Sequence, residues 1–315
     1  MNSEKKPDLK PISPVSLYNF MQDNRHLVII DTRPLSKYLS GFIRKSYWLD
    51  TQLKDKLAAI RALYEYINKQ DHNSLENEKK YKLSKLRRLV VIVDEAYEQL
   101  SDVETCLSQL DIFANFNRHY VLFNKFDDFK NKYPFLALSL DTTNIDNAVD
   151  FDTYQKELLK QNPDGVLYAN SSFPFELEAN KILMGTNFNK NNKKQINDLE
   201  IKKTVEVVLD QEKHNLVDVK DNDAFVYINR EKLIDFDGMF VRLEEFINND
   251  KVLFCAQDYR LISTFCIAFM MWTKKIPVNV ASLKVFNIMG NTDADRIVYN
   301  QVMNFIPGAI KIVNV

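Results

Sequence analysis

LFCAQDYRLISTFCIAFMMW, residues 253–272, determines how the second half of the chain can fold. Its first two residues end a short segment at 251–254, apolar after Lys251, that is typical of a buried strand. After a few polar residues it continues as an apolar run from Leu261 to Trp272. That run is too short to cross a bilayer, so we interpret it as a core helix at 262–273. The stretch therefore predicts a strand, a short loop and a buried helix in succession.

Strand-like and helical patterns alternate on both sides of this stretch. The predicted strands are 26–31, 89–94, 118–123, 203–209 and 251–254. The predicted helices are 51–69, 97–110, 189–199, 235–248, 262–273 and a pair from 279 to about 305. Such alternation is typical of a parallel sheet with helices on its faces. The predicted fold class is α/β, with two doubly wound domains, each a mainly parallel sheet flanked by helices.

A stretch rich in turn formers separates the two halves of the chain. Residues 139–172 contain few candidate core residues, and we interpret them as a linker. The sequence then predicts a first domain at 11–138 and a second at 173–315. A length of 315 residues agrees with about two domains of roughly 150 residues each.

Composition excludes several classes of protein. A formal net charge of −1 gives no electrostatic reason to expect binding to nucleic acid or to an anionic membrane. Three widely spaced cysteines, Cys106, Cys255 and Cys266, argue against a disulfide framework and predict a reducing compartment such as the cytoplasm. No Cys/His cluster suggests a metal site, and we expect no cofactor. The polar N-terminal residues lack the apolar core of a secretory signal.

Residues 29–43, IIDTRPLSKYLSGFI, carry a motif that resembles the opening of the rhodanese family. The residues that match it are Asp31, Arg33, Tyr38, Gly41 and Ile43, with Phe42 where the family has His. We expect Asp31 and Arg33 to tie the strand end to neighbouring loops, and Gly41 to permit a tight turn. Residues 119–136 resemble the family's closing segment, with Asn124 and Lys125 in place of two glycines.

The nucleophile of an active rhodanese is replaced in this sequence. The family places a cysteine directly after its second main strand, where this chain has Asp94 followed by Glu95. A carboxylate cannot carry sulfane sulfur, so we expect no sulfurtransferase activity. An acid at this position resembles the non-catalytic rhodanese domains of MAP-kinase phosphatases, which dock kinases through a basic cluster. The basic pairs Arg87–Arg88 and Lys79–Lys80 do not match the position of that cluster, and we interpret them as a solvated face.

Residues 175–305 resemble the dual-specificity phosphatase domain. The segment Ile182–Gly185 is similar to its opening strand, and Phe240–Ile247 to the helix before its catalytic strand. The strongest comparison sets residues 253–272 against the family pattern Val-His-Cys-x5-Arg-Ser-x-Thr followed by an apolar helix. Aligned on that helix, Cys255 takes the nucleophile position and Thr264 lies in the helix.

Most residues that phosphatase chemistry needs around this nucleophile are replaced. The vestigial loop consists of Phe254, Cys255, Asp258, Arg260 and Leu261. Phe254 stands where the family has His, Asp258 at the usual glycine and Leu261 at the phosphate-binding Arg. Arg260 follows the cysteine one residue too early for the phosphate ring. A phosphate-binding ring needs residues with small side chains, backbone N–H groups that point inwards, and a guanidinium that binds phosphate through two hydrogen bonds.

The general-acid position is also changed. Arg230 stands where the family has an Asp, and Glu231 is the next residue. A carboxylate about 4 Å from a phosphate charge costs roughly 4 kcal/mol at an effective dielectric of 20. Asp258 therefore opposes anion binding, and we interpret Cys255 as a small buried residue.

A rhodanese-like domain followed by an inactive phosphatase-like domain resembles the serine/threonine/tyrosine-interacting-like pseudophosphatases, relatives of the MAP-kinase phosphatases. We predict a catalytically inactive scaffolding subunit that binds other proteins, with no nucleic acid and no membrane insertion. One alternative is a regulator of kinase or phosphatase signalling that holds a phosphorylated or docking segment. Another is an active cysteine phosphatase that uses Cys255. A cytoskeletal or ciliary assembly would suit such a protein, although no residue points to one.

Overall fold

The computed structural model describes residues 9–22, 27–44, 46–49, 88–94, 107–108, 118–138, 173–289 and 294–308. The chain divides into two compact units, Met1–Ser172 and Phe173–Val315. The predicted helix at 51–69 and the predicted linker at 139–172 lie outside the described residues. Of the predicted helix at 97–110, only 107–108 are described, and they are helical.

The described part of the first unit contains one parallel sheet and one short antiparallel pair of strands. Its elements are β1 Lys10–Pro11, α1 Pro14–Gln22, β2 Leu27–Asp31, α2 Leu35–Ser40, β3 Phe42–Ile43, β4 Ser46–Trp48, β5 Arg88–Val93, β6 Arg118–Phe123, α3 Phe126–Lys132, a 3-10 turn at Pro134–Leu136, and β7 Ala137–Leu138. The parallel sheet has the strand order β1-β6-β5-β2-β4, while β3 pairs with β7. Every residue of β5 is buried, as its continuous apolar sequence predicts for an inner parallel strand.

The interpretation of Arg88 as part of a solvated face was wrong. Its side chain is buried, and its guanidinium lies 4.4 Å from the centre of the Phe20 ring. A long side chain can bury its stem and place its cation over an aromatic face, so a run of basic residues does not by itself indicate exposure. Arg87, Lys79 and Lys80 lie outside the described residues.

A buried ion pair fastens the end of β2. The guanidinium of Arg33 donates to both carboxylate oxygens of Asp31, at 2.9 Å from Nε to Oδ1 and 2.7 Å from Nη2 to Oδ2. The same Nη2 donates to the Gly41 carbonyl at 2.7 Å, and the guanidinium lies 3.6 Å from the Phe126 ring centre. Burial raises the pKa of the Asp31 carboxyl, and the Arg33 charge opposes that shift. The pair holds the strand end to two neighbouring segments, as the motif predicts.

The glycine positions of this motif behave differently from the expectation. A turn closes here, because the Gly41 N–H donates to the Tyr38 carbonyl at 3.1 Å, but the φ of Gly41 is 170°, extended backbone that does not require glycine. A Cβ there would lie 3.3 Å from Lys130 Nζ and 3.4 Å from the Phe126 ring, so a larger residue would require a small shift of the lysine side chain. Asn124, at a position expected for glycine, does adopt a left-handed φ of 46°. Asparagine tolerates that conformation better than most residues.

The second unit contains a six-stranded mixed sheet. Its elements are β8 Phe175–Glu178, β9 Ile182–Thr186, α4 Asn187–Asn191, α5 Lys193–Asp198, β10 Lys203–Leu209, β11 Leu216–Lys220, β12 Asp223–Ile228, α6 Phe236–Ile247, β13 Val252–Ala256, α7 Tyr259–Lys274, α8 Val278–Met289 and α9 Arg296–Met303. The strand order is β11-β12-β10-β13-β9-β8. The four inner strands are parallel, and the two outer strands are antiparallel to their neighbours. The predicted α/β fold class, with mainly parallel sheets flanked by helices, is confirmed.

The main core of the second unit lies between one face of this sheet and helix α7. Residues Leu261 to Met271 of the helix are all buried, which confirms the interpretation of the apolar run as a core helix. The Phe254 ring of β13 lies edge-on to Phe265 and Phe269, at 6.1 and 5.0 Å between ring centres. Strands β11 and β12 are absent from the predicted elements, which contain no strand between 209 and 235.

The buried ion pair of the first unit gives a direct test. Replacement of Arg33 by Ala leaves the Asp31 carboxylate buried without its partner, so we expect the free energy of unfolding to fall by about 3–5 kcal/mol. The control is Lys37→Ala, which also removes the cation of an ion pair, with Asp94, but from a side chain that is 50% exposed. Because solvent screens that cation, we expect a loss of less than about 1 kcal/mol. Urea denaturation followed by Trp48 fluorescence, with Trp272 replaced by Phe, measures both. Equal effects of the two variants would contradict this assignment.

Candidate functional site

The candidate site lies where β13 ends and α7 begins. Strand β13 continues through Cys255 to Ala256, and α7 starts at Tyr259. Only Gln257 and Asp258 therefore separate strand from helix. The Asp258 carboxylate caps the helix by accepting a hydrogen bond from the Leu261 N–H at 3.0 Å. A connection of two residues is too short to form a ring of backbone N–H groups around the Cys255 sulfur. In addition, one of the first N–H groups of the helix is already bonded to the Asp258 carboxylate.

Cys255 faces away from α7. Successive side chains of a strand point to opposite faces of the sheet, and Phe254 packs on the Phe265 and Phe269 rings of α7. Cys255 therefore points to the other face, where its neighbours in register are Glu206 on β10 and Gly185 on β9. Its side chain is completely buried there.

A polar cluster surrounds Cys255 on that face. The Glu206 carboxylate lies 2.9 Å from Lys190 Nζ and accepts a hydrogen bond of 2.8 Å from Asn187 Nδ2. Lys190 Nζ also lies 3.6 Å from the Asp223 carboxylate. Although burial acts to lower it, the pKa of Lys190 is raised by its hydrogen bond to Glu206 and by the two carboxylates. The charges in this cluster are therefore already paired with one another.

The electrostatic surroundings keep the Cys255 thiol protonated. Burial, with a smaller contribution from the Glu206 carboxylate, raises the pKa of Cys255 to about 12, and Lys190 opposes this shift. A cysteine nucleophile needs the opposite, a pKa lowered by a helix N-terminus or by cations. The shift in the pKa of Cys255 is therefore opposite to the one that a cysteine nucleophile needs.

The two remaining loop residues do not line an anion pocket. Leu261 is 1% exposed and belongs to the core of α7. Arg260 is exposed at the surface. Its carbonyl oxygen accepts hydrogen bonds from Thr264 Oγ1 at 2.7 Å and from the Asp295 N–H at 3.1 Å. The structure brings no guanidinium over Cys255 among the residues that it describes.

Arg230, at the predicted general-acid position, is held in an ion pair. Its Nη2 lies 2.5 Å from Asp295 Oδ2. Asp295 also caps α9 by accepting from the Val298 N–H at 3.1 Å, and its own N–H donates to Thr264 Oγ1 at 2.9 Å. These contacts join the loop after β12 to the starts of α7 and α9. Sequence reasoning missed Asp295, although an Asp directly before a helix is a recognised start signal.

Asp94, at the position of the rhodanese nucleophile, directly follows β5. Its carboxylate lies 2.6 Å from Lys37 Nζ. Its charge also contributes to the raised pKa of Asp31. Asp94 is therefore a partly buried carboxylate that pairs with a half-exposed lysine.

The described ranges contain no cluster of His, Cys, Asp and Glu that could hold a metal ion. Within the same ranges, none of the helices combines the length and the apolar character needed to cross a membrane.

The network around Asp295 can be tested by two substitutions. Asp295→Ala removes both the cap of α9 and the partner of Arg230, and we expect it to lower the free energy of unfolding by about 1–2 kcal/mol. Asp295→Asn keeps an oxygen for the Val298 N–H, and because Arg230 is 38% exposed we expect this variant to lose less than about 1 kcal/mol. Urea denaturation followed by Trp272 fluorescence distinguishes them. If Asn is as costly as Ala, the cap does not have the role described.

No protein-family model matches the sequence, and no curated protein matches it. The structure is similar to several solved phosphatase domains. A leucine-rich-repeat and phosphatase-domain protein from Entamoeba histolytica is 18% identical, with 41% of this chain and 88% of that chain covered and a TM-score of 0.33. Human DUSP28 is 12% identical, with 40% and 89% covered and a TM-score of 0.33. The Yvh1 phosphatase domain from Chaetomium thermophilum is 14% identical, with 40% and 90% covered and a TM-score of 0.31.

Proposed function

We propose that this chain is a pseudophosphatase, an inactive phosphatase-like protein that acts as a protein-interaction subunit. The observation that carries the proposal is the place of Cys255. It lies inside β13, faces away from α7 and neighbours the Glu206 carboxylate. The residue that would attack phosphorus is therefore buried in the sheet.

Electrostatics support the inactive assignment. The partial positive charge of a helix N-terminus acts within about its first turn. Cys255 points to the sheet face opposite the one on which α7 packs, so its sulfur is not directed at that terminus. A carboxylate about 4 Å from a thiolate would cost it roughly 4 kcal/mol at an effective dielectric of 20. The alternative of binding a phosphorylated segment rests on Arg260, which is exposed beside the Asp258 carboxylate. That acid disfavours an anion at this surface.

The first unit fits the same proposal as a rhodanese-like domain without a nucleophile. Asp94 stands directly after β5, at the position of the family's cysteine, and pairs with Lys37. A carboxylate at this position cannot carry sulfane sulfur. The buried pair of Asp31 and Arg33 is nevertheless complete. Loss of reactive groups from intact sheets is what we expect where the surface is retained for binding other proteins, so we propose a scaffolding role.

The first test is hydrolysis of a generic aryl phosphate. Because the Cys255 thiol is buried and protonated, we expect the purified chain to release phosphate no faster than its Cys255→Ser variant. The assay follows the released phenolate over a range of pH, with an active dual-specificity phosphatase as the positive control. Turnover that Cys255→Ser abolishes would overturn the proposal.

The second test measures the reactivity of the Cys255 thiol. The raised pKa, about 12, keeps the native thiol protonated at a pH of about 8. We therefore expect almost no alkylation by iodoacetamide in the native protein and rapid alkylation in concentrated urea. The same shift predicts a stability contribution that is complete below the unfolded thiol pKa and is lost as pH rises towards the folded value.

Mass spectrometry of the peptide that contains Cys255 gives the result. Ser40→Cys introduces a thiol at an exposed position and is the reactive control. Fast labelling of native Cys255 near neutral pH would show that the thiol is accessible and activated, contrary to the structure.

A further inference from the structure

A groove lies at the far end of α7 from the candidate site. It is bounded by the hairpin of β8 and β9, the last turns of α7 and one face of α8, and its volume is about 520 Å³. Its lining begins on α7 at Phe269, ten residues after Tyr259, so roughly 15 Å of helix separates it from the strand-to-helix connection. The groove is therefore a separate surface feature.

The floor of the groove is apolar and belongs to the core. Ile182, Phe269 and Met270 are 4%, 3% and 9% exposed, and each contributes to the lining. Their positions are fixed by the packing of α7 on the sheet. Leu177 and Ile288, which are partly buried, form the apolar walls. A preformed apolar depression of this volume is typical of a binding site.

The rim carries an excess of positive charge. Lys274 Nζ lies 2.8 Å from Glu178 Oε1, so these two charges neutralise each other. Lys284 on α8 is exposed, and no residue in the described part of the chain forms an ion pair with it. Two lysines and one glutamate leave a charge of about +1 beside the apolar floor.

We propose that this groove docks a short segment of a partner protein, with aliphatic side chains on the floor and a carboxylate on Lys284. This inference rests on the proposed function and names the chemistry of the partner. The apolar floor favours aliphatic side chains, because binding removes their apolar surface and that of the floor from water. The ammonium of Lys284 adds selectivity for an acidic residue, since opposite charges across an interface favour one partner over another.

The test uses two fluorescein-labelled peptides and the full chain. One peptide intersperses leucines with glutamates, and the other has lysine in place of every glutamate. We expect fluorescence anisotropy to show binding of the acidic peptide and at least about tenfold weaker binding of the basic one. Salt should weaken the acidic complex, because the contact to Lys284 is exposed.

Two variants test whether the peptide binds in the groove. Lys284→Glu reverses the charge, and Asn287→Trp puts a large side chain over the opening from an exposed position on α8. Each should weaken binding on the order of tenfold or more. Lys193→Glu makes the same change of charge at an exposed position on α5, outside the lining, and should leave binding unchanged.

Other occupants give different results. No binding of the acidic peptide, or binding that neither groove variant changes, overturns the proposal. Self-association that Asn287→Trp abolishes would assign the groove to a second copy of the chain and would overturn it too. None of these variants touches Cys255, so the docking result is independent of the aryl phosphate assay.

Discussion

The packing of Phe254 against α7 is the constraint on which the second unit depends. Burial of one phenylalanine side chain contributes roughly 1.5–3 kcal/mol, and this ring meets two others, Phe265 and Phe269, edge-on. Because side chains alternate along a strand, fixing Phe254 on the helix side fixes Cys255 on the opposite side. A rotation that exposed the sulfur to the helix N-terminus would expel the aromatic ring from the core. The hydrophobic contact therefore determines the state of the thiol.

Polar contacts also fix the segments around the N-terminal end of α7. Asp258 satisfies an amide of α7, while Asp295 caps α9 and holds Arg230. Each carboxylate stabilises a helix start or pairs with a cation, so Asp258 and Arg230, two positions of the predicted vestigial site, make structural contacts. The binding surface that we propose lies instead at the other end of α7, where a core-derived apolar floor meets the ammonium of Lys284. Helix α7 therefore makes structural contacts at its N-terminal end and lines the proposed binding surface at its C-terminal end.

Much of the fold could be predicted from the sequence, for physical reasons. The strands at 118–123 and 203–209 have the predicted bounds, and the run from Leu261 is the core helix. Polar residues interrupt β11, so it could not be recognised as a continuous apolar run. Strand β12 was missed although it contains the apolar run Ala224–Ile228, which is a strand signal. In the candidate site, the alignment predicted the position of Cys255 but not the sheet face to which its side chain points. The predicted strand ended at 254, whereas the observed strand continues to Ala256 and therefore includes Cys255. The cap by Asp295 has a local signal in the sequence, but its ion pair with Arg230 could not be predicted because these two residues are distant in sequence.

The two outer strands of the second sheet have a consequence for how this unit opens. β8 and β11 each join the sheet through a hairpin to the next strand in sequence, whereas β9, β10, β12 and β13 pair in parallel through longer crossovers. A hairpin strand at the rim can fray without breaking any contact between the inner strands. Opening therefore proceeds from the rim inwards, and the amides of β10 and β13 exchange with solvent last.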